Sequence, residues 1–186
     1  MGLAQKKEEY TYEEWLELDN NEETELIDGV IYTQYGNEIQ GGPSTRHMDV
    51  VRELIGELIN FLKDKKCKLY FQPFMVKLSK KTTVRPDITV ICDKDKISDR
   101  GCNGAPDLVI EVLSPSNAGT DLFTKYNHYL LAGVKEYWIV DPIKNEVTVY
   151  ILEDGKYHGT LYSEEDIIPV TALPGCEIDL SVIFAK

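Results

Sequence analysis

The sequence predicts an α/β (mixed α+β) fold in which helices flank one central sheet that carries additional β-hairpins. The order of its patterns supports this: helix, hairpin, long helix, a run of strands, helix, and more strands. The segment Asp107–Pro142 is also predicted to form a strand, a helix and a strand, which is compatible with a β-α-β unit. The 186 residues suffice for one domain with a core and are too few for two comfortable ones. We therefore expect one domain over residues 1–186, with residues 1–10 disordered.

The N-terminal elements are two helices and a hairpin. A Thr-x-x-Glu capping box begins a predicted helix at Thr11–Leu18. The stretch TELIDGVIYTQ contains Asp28-Gly29 between two apolar runs, which is typical of a tight β-hairpin. A loop with Gly and Pro at Asn37–Ser44 then precedes apolar residues at three-and-four spacing, which predict a long amphipathic helix at about Thr45–Lys65.

The rest of the chain alternates apolar strands with turn signals. The predicted elements are, in order, strands at Lys68–Leu78 and Val84–Cys92, a polar loop at Lys94–Gly104, a strand at Asp107–Leu113, a helix at about Asp121–Ala132, a strand at Glu136–Pro142, a hairpin at Asn145–Ser163, and a short helix near Leu180–Phe184 after a turn-rich tail.

The charge of the chain argues against a nucleic-acid binder, because the formal net charge is −12. A local basic patch could still bind nucleic acid, and the two candidates are KDKKCK (Lys63–Lys68) and KLSKKTTVR (Lys77–Arg85). Such a run is also typical of a plain solvated face. The part beyond Asp141 is acidic and could contact a basic protein partner.

The sequence predicts a cytoplasmic protein without a membrane partner. No apolar run approaches the length of a membrane-spanning helix, and the N-terminus lacks the apolar core of a signal peptide. The four cysteines form no CxxC pair, so we expect reduced thiols and no zinc site.

The stretch PDLVIEVLSPSN (Pro106–Asn117) places a carboxylate inside an apolar strand. An unpaired buried carboxylate is costly, so Glu111 should be paired, metal-bound or protonated. Asp87 begins another apolar strand, and the two carboxylates would face each other if these strands pair. Two close carboxylates repel, and Mg²⁺ prefers such hard oxygen ligands. The pattern indicates either a magnesium site or a structural salt bridge between Glu111 and a Lys or Arg.

The helix after this strand presents Asp121, Lys125 and Tyr129 on one face. The link between strand and helix is short enough for Lys125 to fold back toward Glu111. A lysine beside a metal-bound carboxylate pair can position water or stabilise developing negative charge. Asp121 and Tyr129 are weaker candidates for substrate contacts.

Three further residues are candidates for the same site. Glu25 is a charge in an apolar strand and could be a further site carboxylate or an edge residue. Arg46 and His47 open the long helix and could bind a substrate phosphate, although capping or packing is the alternative for a single histidine. The sequence contains no P-loop, no Rossmann fingerprint and no Ser-His-Asp or Cys-His signature.

The motifs TELIDGVIY, RH, VRPDITV, GAPDLVIEVLSPSN, the helix with Asp121, Lys125 and Tyr129, and GVKEYWIVDP follow one another along the chain. This series resembles the Uma-two family, a bacterial group related to the PD-(D/E)xK nucleases of the restriction-endonuclease-like fold. The resemblance extends from about Thr11 to Tyr150.

The resemblance implies a metal-dependent nuclease that hydrolyses phosphodiester bonds, with DNA as the expected substrate. Asp87 and Glu111 would bind Mg²⁺ or Mn²⁺, and Glu25 would be a further catalytic carboxylate. The superfamily places its lysine two residues after the second acid, where this chain has Leu113. The resemblance therefore implies a lysine that has migrated to the following helix, with Lys125 as the candidate.

Other functions compete with this hypothesis. A degenerate member could bind nucleic acid or protein without cleaving anything, as the net charge and Leu113 suggest. An accessory subunit could use the acidic C-terminal part to contact a basic partner. Nucleases of this fold often pair, so a homodimer is also predicted.

Overall fold

The computed structural model describes residues 9–18, 24–33, 44–114 and 120–185, and of residues 120–122 only the helical backbone. The described helices are α1 (Tyr12–Leu18), α2 (Thr45–Leu62), α3 (Thr120–Ala132) and α4 (Leu180–Ile183). The described strands are β1 (Thr24–Ile27), β2 (Val30–Thr33), β3 (Lys68–Phe71), β4 (Val76–Lys77), β5 (Thr83–Val84), β6 (Ile88–Ile91), β7 (Ile97–Ser98), β8 (Gly101–Asn103), β9 (Leu108–Val112), β10 (Glu136–Asp141), β11 (Glu146–Glu153), β12 (Lys156–Ser163), β13 (Ile167–Val170) and β14 (Cys176–Asp179).

These strands form two six-stranded sheets and one strand pair. The first sheet has the order β2-β1-β5-β4-β8-β7, the second has the order β12-β11-β10-β9-β6-β3, and β13 pairs with β14. Each large sheet is mixed, because β4 runs parallel to β8 and β9 runs parallel to β10. The predicted mixture of helices and a mixed sheet is confirmed, but the strands divide between two sheets instead of one.

Prolines mark the points where the chain passes between the two sheets. The predicted strand Lys68–Leu78 is two strands, β3 and β4, on either side of Pro73. The predicted strand Val84–Cys92 is likewise β5 and β6, on either side of Pro86. Proline has no N–H to donate to a ladder, so neither strand continues through it. The predicted loop Lys94–Gly104 also contains more structure than expected, since β7 and β8 pair within it.

The second sheet is covered on both faces. Side chains alternate along β9, so Leu108, Ile110 and Val112 pack with the apolar side of α2. Val109 packs on the opposite face with Tyr129 of α3. The C-terminal tail contributes more than turns, because β13, β14 and α4 pack their buried apolar side chains into the same core as α2.

The two N-terminal turn signals are present in the structure. The capping box of α1 is formed, with the backbone N–H of Thr11 donating to Glu14 Oε2 at 2.9 Å. Asp28 and Gly29 have φ of 50° and 79°, the left-handed values that a tight hairpin of this kind requires. The predictions for the disordered N-terminus and the loop Asn37–Ser44 lie outside the described residues, apart from residues 9–10 and Ser44.

The expectation of reduced cysteines is wrong for one pair. Cys67 and Cys92 form a disulfide with an S–S distance of 2.06 Å. They lie next to the paired residues Lys68 and Ile91, so the register of β3 and β6 places them side by side. Cys102 and Cys176 are free and buried, as expected. No helix in the described ranges is both long and apolar enough to cross a bilayer.

Candidate active site

The register of β6 and β9 brings Asp87 and Glu111 together. The strands are antiparallel and pair Ile88 with Ile110, so the preceding Asp87 lies opposite Glu111. Both side chains are buried. Asp87 is fixed by a hydrogen bond that its Oδ2 accepts from the backbone N–H of Val112 at 2.8 Å. The cross-strand approach of the two carboxylates therefore follows from backbone pairing.

Glu25 and Lys125 complete a buried charge cluster. Glu25 reaches it from β1 in the other large sheet, and its Oε1 accepts a hydrogen bond from the backbone N–H of Arg85 at 2.6 Å. The Nζ of Lys125 lies 3.2 Å from Glu25 Oε2 and 3.4 Å from Glu111 Oε1. One ammonium thus joins carboxylates from both sheets, and Glu25 is not an exposed edge residue.

Tyr129 lies one helical turn after Lys125 and contacts the same carboxylate. Its hydroxyl donates a hydrogen bond to Glu111 Oε1 at 2.7 Å. Burial and the nearby Glu111 raise the pKa of Tyr129 well above its ordinary value, so the hydroxyl keeps its proton and remains a donor. Tyr129 is therefore placed to orient Glu111.

The cluster carries more negative than positive charge. Burial raises the pKa of Glu111 to about 8, and the charges of Asp87 and Glu25 also raise it, against the opposing effect of Lys125. One ammonium does not balance three carboxylates within this buried region. The raised pKa favours a proton on Glu111 near neutral pH, unless a further cation such as protonated His47 beside Asp87 or a metal ion offsets the negative charge.

His47 extends the cluster from the start of α2. Its Nε2 lies 3.5 Å from Asp87 Oδ1, and the side chain of Ser44 caps the helix by accepting from the backbone N–H of His47 at 3.2 Å. Burial lowers the pKa of His47, but the hydrogen bond and charge of Asp87, with the carbonyls of Leu113 and Val112, raise it overall. Among the described residues, His47 Nδ1 is buried without a hydrogen-bond partner.

The structure does not bring Arg46 into this cluster. Its guanidinium donates to Asn145 Oδ1 at 2.9 Å and to the carbonyl of Phe184 at 3.0 Å, which ties α2 to the C-terminal segment. Asp121 lies on α3, and its side chain is outside the described part of the chain.

Comparison with protein families assigns this chain to a family. A profile of the Uma2 family, described as "Putative restriction endonuclease", matches residues 9–181. The chain belongs to the Uma2 family. This confirms the resemblance that the motifs predicted. The comparison with curated proteins found no match.

A solved structure shows the same fold as this Uma2 protein. It is a protein from Anabaena variabilis ATCC 29413, titled "putative nuclease belonging to DUF820", with 21% identity and a TM-score of 0.77. The match covers 94% of this chain and 97% of that chain. The predicted restriction-endonuclease-like fold is thus confirmed, and at this identity the likeness concerns the fold alone.

The donor set of the Uma2 protein fits a hard divalent cation. Mg²⁺ is commonly held by one or two carboxylates and completes its shell with water and substrate oxygens. In the described ranges no group of three His, Cys, Asp or Glu side chains is arranged to hold a metal. Both carboxylate oxygens of Glu25 are engaged, one by the Arg85 N–H and one by Lys125, which leaves Asp87 and Glu111 as the pair of candidate ligands.

The two basic runs of the Uma2 protein do not form an open cationic surface at the cluster. In the run Lys77–Arg85, Lys77 pairs with Glu13 at 3.1 Å and Lys81 pairs with Glu9. The run Lys63–Lys68 lies at the Ile91 end of β6, whereas Asp87 precedes the other end, about 13 Å from Ile91 along the strand.

Two residues near the cluster were not among the predicted site residues. Arg85 was part of a basic run, yet it is buried and its backbone N–H binds Glu25. The signal for this role is Pro86, because a residue before proline is held in an extended backbone conformation. Gln72 donates from its backbone N–H to the carbonyl of Asp87 at 3.3 Å and from Nε2 to that of Arg85 at 3.1 Å.

Proposed function

We propose that this Uma2 protein is a metal-dependent nuclease that hydrolyses phosphodiester bonds in DNA, with Lys125 in the role of the lysine absent at Leu113. One observation carries the proposal: Lys125 Nζ lies 3.4 Å from Glu111 and 3.2 Å from Glu25, in a buried cluster where Asp87 faces Glu111 across the strand pair. An isolated structural ion pair would need one carboxylate for its lysine, and this cluster holds three.

The roles follow from the positions of the side chains. Asp87 and Glu111 would hold Mg²⁺ or Mn²⁺, which when bound lowers the pKa of water and offsets negative charge on a phosphate. Lys125 offers a fixed ammonium to a water or a phosphate oxygen at the edge of that pair. Glu25 holds Lys125 in place, and Tyr129 orients Glu111.

A cleavage assay tests the proposal. The purified protein is incubated with single-stranded, duplex and branched DNA, each with Mg²⁺ or Mn²⁺ and with a chelator. We expect cleavage that requires the metal and is lost in Glu111→Gln. A matched control is Glu136→Gln, which changes another buried glutamate of the same sheet, one that binds Trp138 Nε1 and the Ala172 N–H.

The control variant should cleave like the wild type at a temperature where it remains folded. If the wild-type protein leaves every DNA intact with both metals, or if Glu111→Gln cleaves as well as the wild type, the proposal is wrong. Thermal unfolding of each variant separates a loss of activity from a loss of fold.

Binding without cleavage is the second candidate function. The bound molecule would be a nucleic acid or a protein, and Leu113 favours this candidate because it stands where the superfamily has its lysine. The pairing of Lys77 with Glu13 and of Lys81 with Glu9 reduces the cationic surface available to DNA and so favours a protein as the bound molecule. A metal-independent shift of DNA in a binding assay, together with no cleavage, would support it.

Three further features of the proposal concern the protein's surroundings: a homodimer, a basic protein partner for the acidic C-terminal part, and a cytoplasmic location. Light scattering of the purified protein measures the first. Co-purification from cells tests the second, and cell fractionation tests the third.

A further inference from the structure

An aromatic cleft lies at the edge of the second large sheet, outside the charge cluster. It is a cavity of about 530 Å³ between β3, the segment that follows β3, and the turn between β7 and β8. Its walls include Tyr70, Phe71 and Phe74, and Asp99 and Arg100 lie at its rim. This volume lies within the range of small-ligand pockets.

The walls of the cleft are built for flat ligands. The rings of Tyr70 and Phe74 stack at a centroid distance of 4.1 Å and an interplanar angle of 9°. Phe71 lines the same cleft and is 53% exposed. Phe71 follows Tyr70 on β3, so alternation directs its side chain from the other side of the strand, and the stacked pair and Phe71 line the cleft from different directions. The cleft therefore offers aromatic faces to a planar group, and bases of nucleic acid stack on such faces.

The cleft is joined to the candidate active site by strand register. Tyr70 lies opposite Thr89 on β6, and Asp87 is two residues before Thr89 on the same face. Tyr70 and Asp87 are therefore diagonal neighbours, about 7–8 Å apart at their backbones. Gln72 continues this ladder by donating to the carbonyl of Asp87. The separation corresponds to about one or two nucleotide steps of an extended strand.

We infer that the cleft binds an unpaired base of a nucleic-acid strand whose phosphate lies at Asp87 and Glu111. Arg100 supplies a cation for the phosphate next to that base, although Asp99 at the same rim limits its field. A base in a duplex is covered by its neighbours and cannot enter such a cleft unless it leaves the stack. The substrate class is thus a single strand, or a duplex with unpaired nucleotides. The inference rests on the proposed function.

A binding experiment separates this inference from the proposed function. The probe is a short single-stranded oligonucleotide with one 2-aminopurine, whose fluorescence is quenched by stacking. Binding is measured in the Glu111→Gln background, which is expected to bind without cutting. Phe71→Ala should weaken binding about tenfold, the order of effect of stacking one base, and should relieve the quenching.

Two controls make the result specific. Phe71→Trp retains a stacking face and should restore affinity and quenching. Leu161→Ala removes another exposed apolar side chain, from β12 at the opposite edge of the same sheet, and this variant should bind like the parent. On an oligonucleotide that is abasic at the probe position, Phe71→Ala should cost less than about twofold.

Other results of this binding experiment would contradict the base subsite, the substrate class or the proposed function. If Phe71→Ala binds the single strand as tightly as the parent, or loses affinity equally for the abasic strand, the cleft is not a base subsite and the nuclease proposal stands. If the parent binds duplex better than single strand, the inferred substrate class is wrong. If the parent binds neither, the proposed function and the inference fail together.

Discussion

Asp87 and Asp107 each follow a proline and each immediately precede a strand, yet the charged groups around them differ. The strands, β6 and β9, are antiparallel neighbours, so the two aspartates occupy opposite ends of the same pair. Each accepts a hydrogen bond from the backbone N–H at the end of the other's strand. Asp87 accepts from Val112 at 2.8 Å, and Asp107 accepts from Cys92 at 2.7 Å. Both ends of the strand pair are therefore held by the same kind of hydrogen bond, from a backbone N–H to an aspartate.

The difference lies in what stands around each aspartate. Asp107 pairs with Lys135 at 2.7 Å, and that lysine side chain is 68% exposed. Asp87 meets the buried His47 and faces Glu111, and Lys125 is held beside them. A Pro-Asp dipeptide before a strand thus serves to connect that strand to its neighbour. The candidate site is distinguished by the buried charged groups that surround Asp87 and not Asp107.

The largest expected effect separates the two aspartates by activity. Asp87→Asn removes a candidate metal ligand and should lower metal-dependent cleavage at least about a hundredfold, more than the loss of an outer partner of a ligand. Asp107→Asn should stay within about twofold, because Asp107 binds only Lys135 and the Cys92 N–H among the described contacts. Equal losses in the cleavage assay would contradict the distinction between the ends.

The lysines at the two ends should differ in their effect on stability. Lys125→Met leaves Glu25 and Glu111 buried without their shared ammonium and should lower the free energy of unfolding by about 3 kcal/mol. Lys135→Met removes an exposed pair and should cost less than about 1 kcal/mol. Urea unfolding near neutral pH measures both. Similar values for the two variants would show that burial does not set the difference.

The histidine at the Asp87 end should act through the position of that carboxylate. His47→Ala removes a partner of a candidate ligand and should weaken Mn²⁺ binding about tenfold. His47→Gln keeps a donor near Asp87 and should recover most of that affinity. Electron paramagnetic resonance of free Mn²⁺ gives the affinity without any substrate. If both His47→Ala and His47→Gln bind Mn²⁺ as tightly as the wild-type protein does, His47 has a packing role only.

The smallest effect is a pH dependence at the other end. Burial raises the pKa of Asp107, but the hydrogen bonds from Lys135 and Cys92 outweigh it and lower the pKa overall. A lowered carboxyl pKa stabilises the folded protein above the unfolded-state pKa of about 3.9, and this stability is lost as pH falls through the folded-state pKa.

Asp107→Asn should therefore cost less than about 1 kcal/mol at neutral pH, since Lys135 is screened by solvent, and less still at about pH 3. Urea unfolding of the wild type and the variant at both pH values measures this. A cost that grows toward acid pH would contradict the direction of the pKa shift.

The candidate site was more predictable from sequence than the sheets were. Glu111 stood out as a charge in an apolar strand, and the facing Asp87 followed from pairing of two apolar strands. The proximity of Lys125 followed from the short link between the strand and the helix, since helix periodicity states which residues share a face but not what that face meets. The family resemblance added only its role as a migrated lysine. The structure also places Tyr129 on Glu111, a contact that no spacing rule specifies.

The division into two sheets was not predictable from local pattern. Pro73 and Pro86 were visible as breaks, but a break does not say that the chain changes sheets. Short strands such as β7 and β8 lacked the alternation that marks a strand, since long-range pairing determines them. Arg46 illustrates the same limit, because its partners lie about 100 and 140 residues later in the chain.

The position of Lys125 in the sequence determines when the charge cluster can form during synthesis of the chain. Glu25, Asp87 and Glu111 are all synthesised before Lys125, and about two-thirds of the 186 residues must emerge before the cluster can close. Domains fold as units as they leave the ribosome. A nascent chain of this protein therefore carries Glu25 and Glu111 without the ammonium that they share, and the complete cluster exists only once α3 has docked.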